Sequence, residues 1–428
     1  MKDNFFIFHN VVWPQLAGEV GPIYKAIVVC AGLQVHSHAG ESGVVERAVA
    51  VRDVKENAKS NPYKSAYAIA ESCLASAVAV PHQHPAQYLG RIGNRHRQQC
   101  RPRHPVDLAF ELQNDHVPSQ FDMSDINVGQ QRHLLFFTAR QLQLLSRARC
   151  WYVDGTFNVV KPPFTQLWSI HAFVRADQAI KQVPLAFVLM SSRRFADYRS
   201  VLTVVTEKIR SAGHQLAVEC VVSDFEAAVW KAVDHVLPQA DMRGCAFHWG
   251  QAVWRHIQAL GYQTAYMNDE PFHSYCRQLL ALPCLPSDEI DGMLTELEAE
   301  GTTDAQRQLC SYVRKTWVES TVWPPASWSV YQRRIRSNND VEGWHRRLNT
   351  KAARGQLNMY LLLDLLASES RLVDIGLRIL KESTVIRRER RSSRATTARL
   401  FKIWDRLVSR ERTVRQTLRS AAHVMPTF

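Results

Sequence analysis

WYVDGTFNVV (151–160), LWSIHAFVR (167–175) and VPLAFVLMS (183–191) decide the fold. Each is a short run rich in β-branched and aromatic residues, and turn signals such as Lys161-Pro162-Pro163 divide them. Three such runs in succession predict strands joined as an antiparallel meander. Downstream, Tyr198, Val201, Leu202, Val205 and Ile209 recur at helical spacing and predict a helix over 197–210. VECVVSD (218–224) reads as a buried strand, AAVWKAVDHVL (227–237) as a helix stopped by Pro238, and Arg243–Phe247 as another short strand. The resulting order is β-β-β-α-β-α-β.

That order belongs to an α/β, ribonuclease H-like mixed sheet, expected here over residues 150–249 and 331–352. Residues 250–330 break it. They are helical, Trp-rich and interrupted by Pro283, Pro286 and Pro324-Pro325, which predicts an all-helical insertion. A helix opening near Asn338 carries Glu342, Leu-rich helices run from 357 to about 382, and a basic helical tail completes residues 353–428. Upstream, residues 61–149 read as a helical region. Tyr67, Ile69, Cys73 and Leu74 mark a first helix, and Leu134, Leu135, Leu142 and Leu145 mark a second over 128–149. Between them, 81–105 reads as a loop that brings Arg95, Arg97, Arg101 and Arg103 together. Residues 1–60 show no sustained period and do not read as an independent domain.

The bulk composition narrows the class. With 428 residues and 46% hydrophobic content, the chain has room for two or three folded domains. No run of about 18 apolar residues predicts a membrane span, and Met1-Lys2-Asp3-Asn4 lacks a signal-peptide pattern, so intracellular residence is expected. Nine cysteines without a C-x-x-C pair read as small buried hydrophobes. The formal charge is +13, and residues 381–428 hold 13 Lys/Arg against 4 Asp/Glu. A concentrated cationic segment suits nucleic acid; a solvated basic helix is the other reading.

Three acids stand out against this frame. Asp154 sits in an otherwise apolar strand, where an unpaired carboxylate is costly to bury. Asp224 ends the strand VECVVSD, which the element order sets beside the strand of Asp154. Adjacent carboxylates repel unless a cation intervenes, and an all-oxygen site selects Mg²⁺ or Mn²⁺. Two such ions about 3.5–4 Å apart would serve an in-line displacement at phosphorus. Glu342 supplies a third acid. In SNNDVEGWHRRLNTKAA, Val341, Trp344, Leu348 and Ala352 form an apolar stripe and leave Glu342 on its polar flank. Taken singly, Asp154 also suits a turn with Gly155-Thr156, Asp224 a helix cap, and Glu342 a solvated surface.

WYVDGTFNVVKPPFTQLWSIHAF, VVSDFEAAVWKAV, RGCAFHW and IRSNNDVEGWHRRLN, in this order and with a long gap before the last, resemble the transposase domain of Mutator-like elements, the MULE family. The resemblance covers roughly residues 95–370. It implies a ribonuclease H-like DDE core with Asp154, Asp224 and Glu342 as catalytic, metal-binding acids, and a helical insertion before Glu342. The implied activity is metal-dependent DNA strand cleavage and strand transfer. Its partners would be double-stranded DNA, as element ends and target, and further copies of the chain in a homo-oligomer. A transposon-derived DNA-binding or regulatory protein without catalysis is the alternative, and a nuclease without strand transfer is a third reading.

The family's C-x-x-H element falls on Cys245 and His248. The pair supplies two of the four ligands of structural Zn²⁺; the other reading is a buried Cys and a hydrogen-bonded His closing the fifth strand. His345 reads as a partner for a metal ligand or phosphate, and Trp344 as core. Arg333, Arg334, Arg336 and Arg346 around the glutamate helix suit phosphates. So does RRERRSSR, with Arg387, Arg388, Arg390 and Arg391, which also reads as a nuclear localisation signal. Near the N-terminus, Cys30 and His36-Ser37-His38 resemble a truncated FLYWCH-type zinc finger.

Overall fold

The structure, a computed structural model, describes residues 43–61, 64–77, 83–176, 179–335, 339–352, 355–382 and 391–425. Arg336, Arg387, Arg388 and Arg390 lie outside these residues, as do Cys30, His36 and His38 of the expected finger. Among the described residues no helix is long and apolar enough to cross a membrane.

The chain forms two compact units that divide between Pro102 and Arg103. In the first, α1 (Val44–Ser60), α2 (Ala66–Ser76) and α3 (Ala86–Gln99) enclose a small core of Val54, Ala70 and Leu89. α3 occupies most of the stretch expected as loop. Its buried face consists of Leu89, Gly90 and Gly93, too small and too few to register against the Arg and His residues around them. A Cβ on Gly93 would stand 3.1 Å from the Val54 side chain, so glycine sets how closely α3 approaches α1.

The second unit is built on β1 (Asp122–Val128), β2 (Gln131–Phe137), α4 (Ala139–Arg147), β3 (Cys150–Thr156), β4 (Gln166–Ala176), β5 (Ala179–Met190), α5 (Phe195–Ser211), β6 (Cys220–Ser223), α6 (Ala227–Val236) and β7 (Asp241–Gly244). The strands make one seven-stranded mixed sheet in the order β1-β2-β5-β4-β3-β6-β7. β1 and β2 correct the reading of 61–149 as helical. They form a hairpin with Val128 opposite Gln131, and Gly129 takes φ +60° in the two-residue turn. Leu134, Leu135, Phe136 and Phe137 are all buried, so the run carries no period; the glycine turn was the signal that separates strand from helix.

One face of the sheet carries Trp151, Val153, Trp168, Ile170 and Val188, packed on Tyr198, Val201 and Leu202 of α5 and Val229 and Val233 of α6. Asp197 pins α5 to the sheet. It is fully buried and accepts hydrogen bonds from the Arg194 backbone N–H (2.8 Å), the Arg194 guanidinium, the Ser192 hydroxyl and His133 of β2 (3.2 Å). Burial works to raise its carboxyl, but the bonds from Arg194 and Ser192 win and hold it near about 2. A folded-state value below the unfolded one stabilises above pH ~4, and that contribution fades as pH falls through about 2. Asp197→Asn is therefore expected to cost about 2 kcal/mol at neutral pH, with the gap to the unmodified chain closing between pH ~4 and ~2. Urea denaturation across that range reads the gap.

Beyond β7 the chain is helical: α7 (Ala246–Ala259), α8 (Gln263–Asn268), α9 (Glu270–Ala281), α10 (Ile290–Glu300), α11 (Asp304–Val313), α12 (Pro325–Trp328), α13 (Asn339–Ala352), α14 (Met359–Glu382), α15 (Arg391–Val408) and α16 (Val414–Val424). Strand β7 ends at Gly244, so Cys245, Ala246 and Phe247 begin α7 and do not extend the strand. α15 and α16 bury Leu400, Trp404, Leu418 and Ala421 in the same core as Trp249, Leu279, Leu294 and Trp328 of the 246–330 helices.

Candidate active site

β3 and β6 run parallel, with Cys150 opposite Cys220, Trp151 opposite Val221 and Tyr152 opposite Val222. Asp154 and Asp224 each lie four residues beyond their cysteine, so the same register carried forward brings both acids to one edge of the sheet. Side chains alternate along a strand. Trp151 and Val153 therefore face the α5–α6 side, while Asp154 faces the other, level with Ser169 on β4. Ser169 is in turn level with Phe187 on β5. Trp344 of α13 stacks on Phe187 with 5.9 Å between ring centroids, and also meets His171 edge-on. The aromatic contact lays α13 on the Asp154 face.

This geometry places Glu342 at the acids. At about 100° per residue, Glu342, His345, Arg346 and Asn349 share one side of α13. His345 is buried, with Nδ1 3.6 Å from Asp154 Oδ2. Glu342 Oε1 is 3.1 Å from Nε2 of His248, which lies in the first turn of α7. Asp154, His248 and Glu342 each offer a ligand atom within 4.8 Å of the others. Asp224 stands outside this group of three but lines the same cleft. The cleft has a volume of about 730 Å³ and is also lined by Gln251, Arg255, Arg346 and Asn349.

The electrostatics match the crowding. Asp154 is 7% exposed, and burial, with Asp224 and Glu342 nearby, pushes its carboxyl up to about 7 despite the opposing pull of His248. Burial works against a charge on His248. Its interactions with Cys245 and Glu342 overcome that and hold the imidazole up to about 11. The bond from His248 keeps Glu342 below the usual carboxylate range, and burial holds His345 down near about 4. Asp154 Oδ1 accepts from the Gly155 backbone N–H at 2.8 Å, so the turn reading and the site reading meet in one side chain. Asp224 does not cap α6: the N-cap is Glu226, while Asp224 accepts from Ser223 Oγ and, through its carbonyl, from Trp230 Nε1.

Two carboxylates and an imidazole converging at the edge of an open cleft make a group that can hold a divalent metal ion once His248 gives up its proton. Residues 150–252 match the family model of the MULE transposase domain. That stretch is similar to a MULE transposase domain. No curated protein matches the chain. The matched stretch spans β3 to the middle of α7 and holds Asp154, Asp224, Cys245 and His248; Glu342 lies beyond the match. This match supports a transposase-type function.

The other sequence candidates scatter. Cys245 is buried as the N-cap of α7, and His248 follows one turn later on a helix, not in the expected strand. Among the described residues, no further His or Cys gathers with this pair into a metal-binding group; the neighbouring His256 stacks on Tyr312, and Cys276 and Cys284 lie in the helical core. Arg346 lines the same cleft as Asp154 and Glu342. Arg333 is half-buried beside Arg243, near Cys150 and Cys220 at the opposite end of the strands, and Arg334 is exposed. Arg391 opens α15. His248 as a member of the acid cluster is the residue that sequence reasoning underrated. Its signals were the C-x-x-H spacing with Cys245 and a place four residues past Gly244, the end of a strand parallel to those leading to Asp154 and Asp224.

A glycine holds the junction together. A Cβ on Gly244 would collide with the Phe225 ring, which neighbours Asp224 and stacks on Trp230 at 5.9 Å. Phe225 also meets Trp317 and Trp323 edge-on, so the ring has no free direction to move. Gly244→Ala is expected to cost about 1–3 kcal/mol, read as an earlier denaturation midpoint.

Proposed function

We propose that the chain is a DDE-type DNA transposase whose ribonuclease H-like core cleaves and joins DNA strands at the cleft between β3, β6 and α13. The carrying observation is the meeting of Asp154 and Glu342, far apart in sequence, within ligand distance at a sheet edge that also bears Asp224. The strand order β5-β4-β3-β6-β7, with β5-β4-β3 antiparallel and β3-β6-β7 parallel, supports the ribonuclease H-like assignment.

Asp154, Asp224 and Glu342 would hold the divalent cations, Mg²⁺ or Mn²⁺, with His248 beside them. Bound there, the cations supply Lewis-acid stabilisation of the charge that builds on phosphoryl oxygens. The protein's own groups do the rest. The Gly155 N–H orients the Asp154 carboxyl, with the buried His345 imidazole 3.6 Å from it. Arg255 and Arg346 offer guanidinium groups to a DNA phosphate, and Gln251 and Asn349 offer neutral donors. Each phosphate neutralised along the duplex adds about −0.9 to the log–log salt slope of binding.

The test is incubation of the full chain with duplex DNA carrying element ends, in Mg²⁺ or Mn²⁺, with products resolved on denaturing gels. Nicked and joined products that vanish with EDTA are expected. Salt-dependent DNA binding without cleavage in either metal would overturn catalysis in favour of a DNA-binding role, and nicking without joining would leave a nuclease.

A further inference from the structure

Glu369 is a buried acid that the chemistry above does not use. It lies on α14, is 2% exposed, and is held by three donors from α13: Trp344 Nε1 at 2.8 Å, Arg347 Nη2 at 3.0 Å and Lys351 Nζ at 2.5 Å. Arg347 and Lys351 are partly exposed and reach inward to it. Taking about 100° per residue, Trp344, Arg347 and Lys351 fall between roughly 140° and 200° around the helix from Glu342. They make up the back of α13, and Glu342, His345, Arg346 and Asn349 make up its front. The third side, Val341, Leu348 and Ala352, is buried.

A buried charge is a poor way to glue two helices. Apolar residues of similar volume do it at least as well, because desolvating the ions offsets their attraction. What a directional node adds is register. An apolar stripe tolerates small rotations of a helix about its axis, whereas three hydrogen bonds to one carboxylate do not. The indole is fixed twice, by its N–H on Glu369 and by its ring on Phe187. Rotation of α13 would swing Glu342 along the cleft and pull His345 from Asp154.

We propose that Glu369 is a positioning residue for the acid cluster: by gathering Trp344, Arg347 and Lys351 on the back of α13, it sets the rotation of that helix and holds Glu342 and His345 at Asp154. The proposal rests on the metal-binding reading of the cleft. It assigns Glu369 an outer-shell role, acting through the helix and touching neither metal nor DNA. Losses of about 10–100-fold in metal affinity are typical when such outer support is removed.

The experiment titrates the full-length chain with Mn²⁺ alone, following free and bound ion by electron paramagnetic resonance well below the melting temperature, with thermal melts in parallel. Glu369→Gln is expected to bind Mn²⁺ at the cleft about 10–100-fold more weakly, with a changed bound-ion line shape. Trp344→Phe, which keeps the ring and removes only the N–H donor, is expected to lose roughly 5-fold. A Glu369→Gln chain that melts earlier yet binds Mn²⁺ with unchanged affinity and line shape would show a role in stability alone and overturn the proposal. Should Glu369→Gln not fold, Trp344→Phe decides, and unchanged affinity there overturns it. If the unmodified chain takes up no Mn²⁺ that Asp154→Asn abolishes, the metal-binding reading is what fails, and Glu369 has no cluster to position.

Discussion

Asp154→Asn is expected to reduce DNA strand cleavage by about 10³-fold or more while the chain melts no lower than the unmodified protein. The loss follows from the proposed role: removing a ligand that gathers cations at the reacting phosphate forfeits several kcal/mol of transition-state stabilisation, and each ~1.4 kcal/mol is tenfold in rate. The retained stability follows from burial. Asp154 is 7% exposed and lies beside Asp224 and Glu342, and its carboxyl is pushed up to about 7 because the site disfavours its charge. Asparagine has nearly the same shape, keeps an oxygen for the Gly155 N–H and carries no charge to desolvate. A site kept at the expense of the fold is the usual mark of function over stability. Paired cleavage assays and thermal melts separate the outcomes. A variant that loses activity and stability together would make Asp154 a structural residue, and one that keeps its activity would remove it from the site.

Much of this arrangement is written in the sequence, and the unwritten parts have identifiable physical causes. The meander of β3, β4 and β5 is legible because its strands are short and punctuated, and α5 because Tyr198, Val201, Leu202, Val205 and Ile209 keep helical spacing. Asp154 stands out because an acid in an apolar strand asks for a partner, whereas Glu342, on the polar flank of its helix, stands out only through the resemblance of the block around it. β1 and β2 are not legible as strands, since a continuous run such as Leu134-Leu135-Phe136-Phe137 has no period to read. The place of His248 is not legible either. A strand that stops at Gly244 instead of Phe247 turns the histidine onto a helix, and its bond to Glu342 depends on how α7 and α13 pack. The same holds for Glu369, whose three partners are recognisable only once α14 lies along α13.

Trp404→Ala is expected to destabilise the helical part of the second unit by about 3–5 kcal/mol. The reason lies in where α15 and α16 pack. In sequence they belong to a basic tail, yet Trp404 is 1% exposed and its Nε1 donates to the Cys284 carbonyl at 2.8 Å, which ties the tail to the 246–330 helices. Tyr331 and Phe401 meet the indole at 5.6 and 5.1 Å. Alanine would leave a cavity among these rings and remove the indole N–H from a buried carbonyl, two costs that add. Lys402, two residues earlier, is exposed, and Lys402→Gln is expected to stay within about 0.5 kcal/mol. One helix thus divides its labour, with an apolar face that closes a core and a cationic face left to solvent. Hydrogen exchange resolved along the chain checks the division: Trp404→Ala should release protection across 246–330 together with 391–425, and Lys402→Gln should release none. Protection lost from 391–425 alone would mean that the insertion holds its own core and that the C-terminal helices only rest on it.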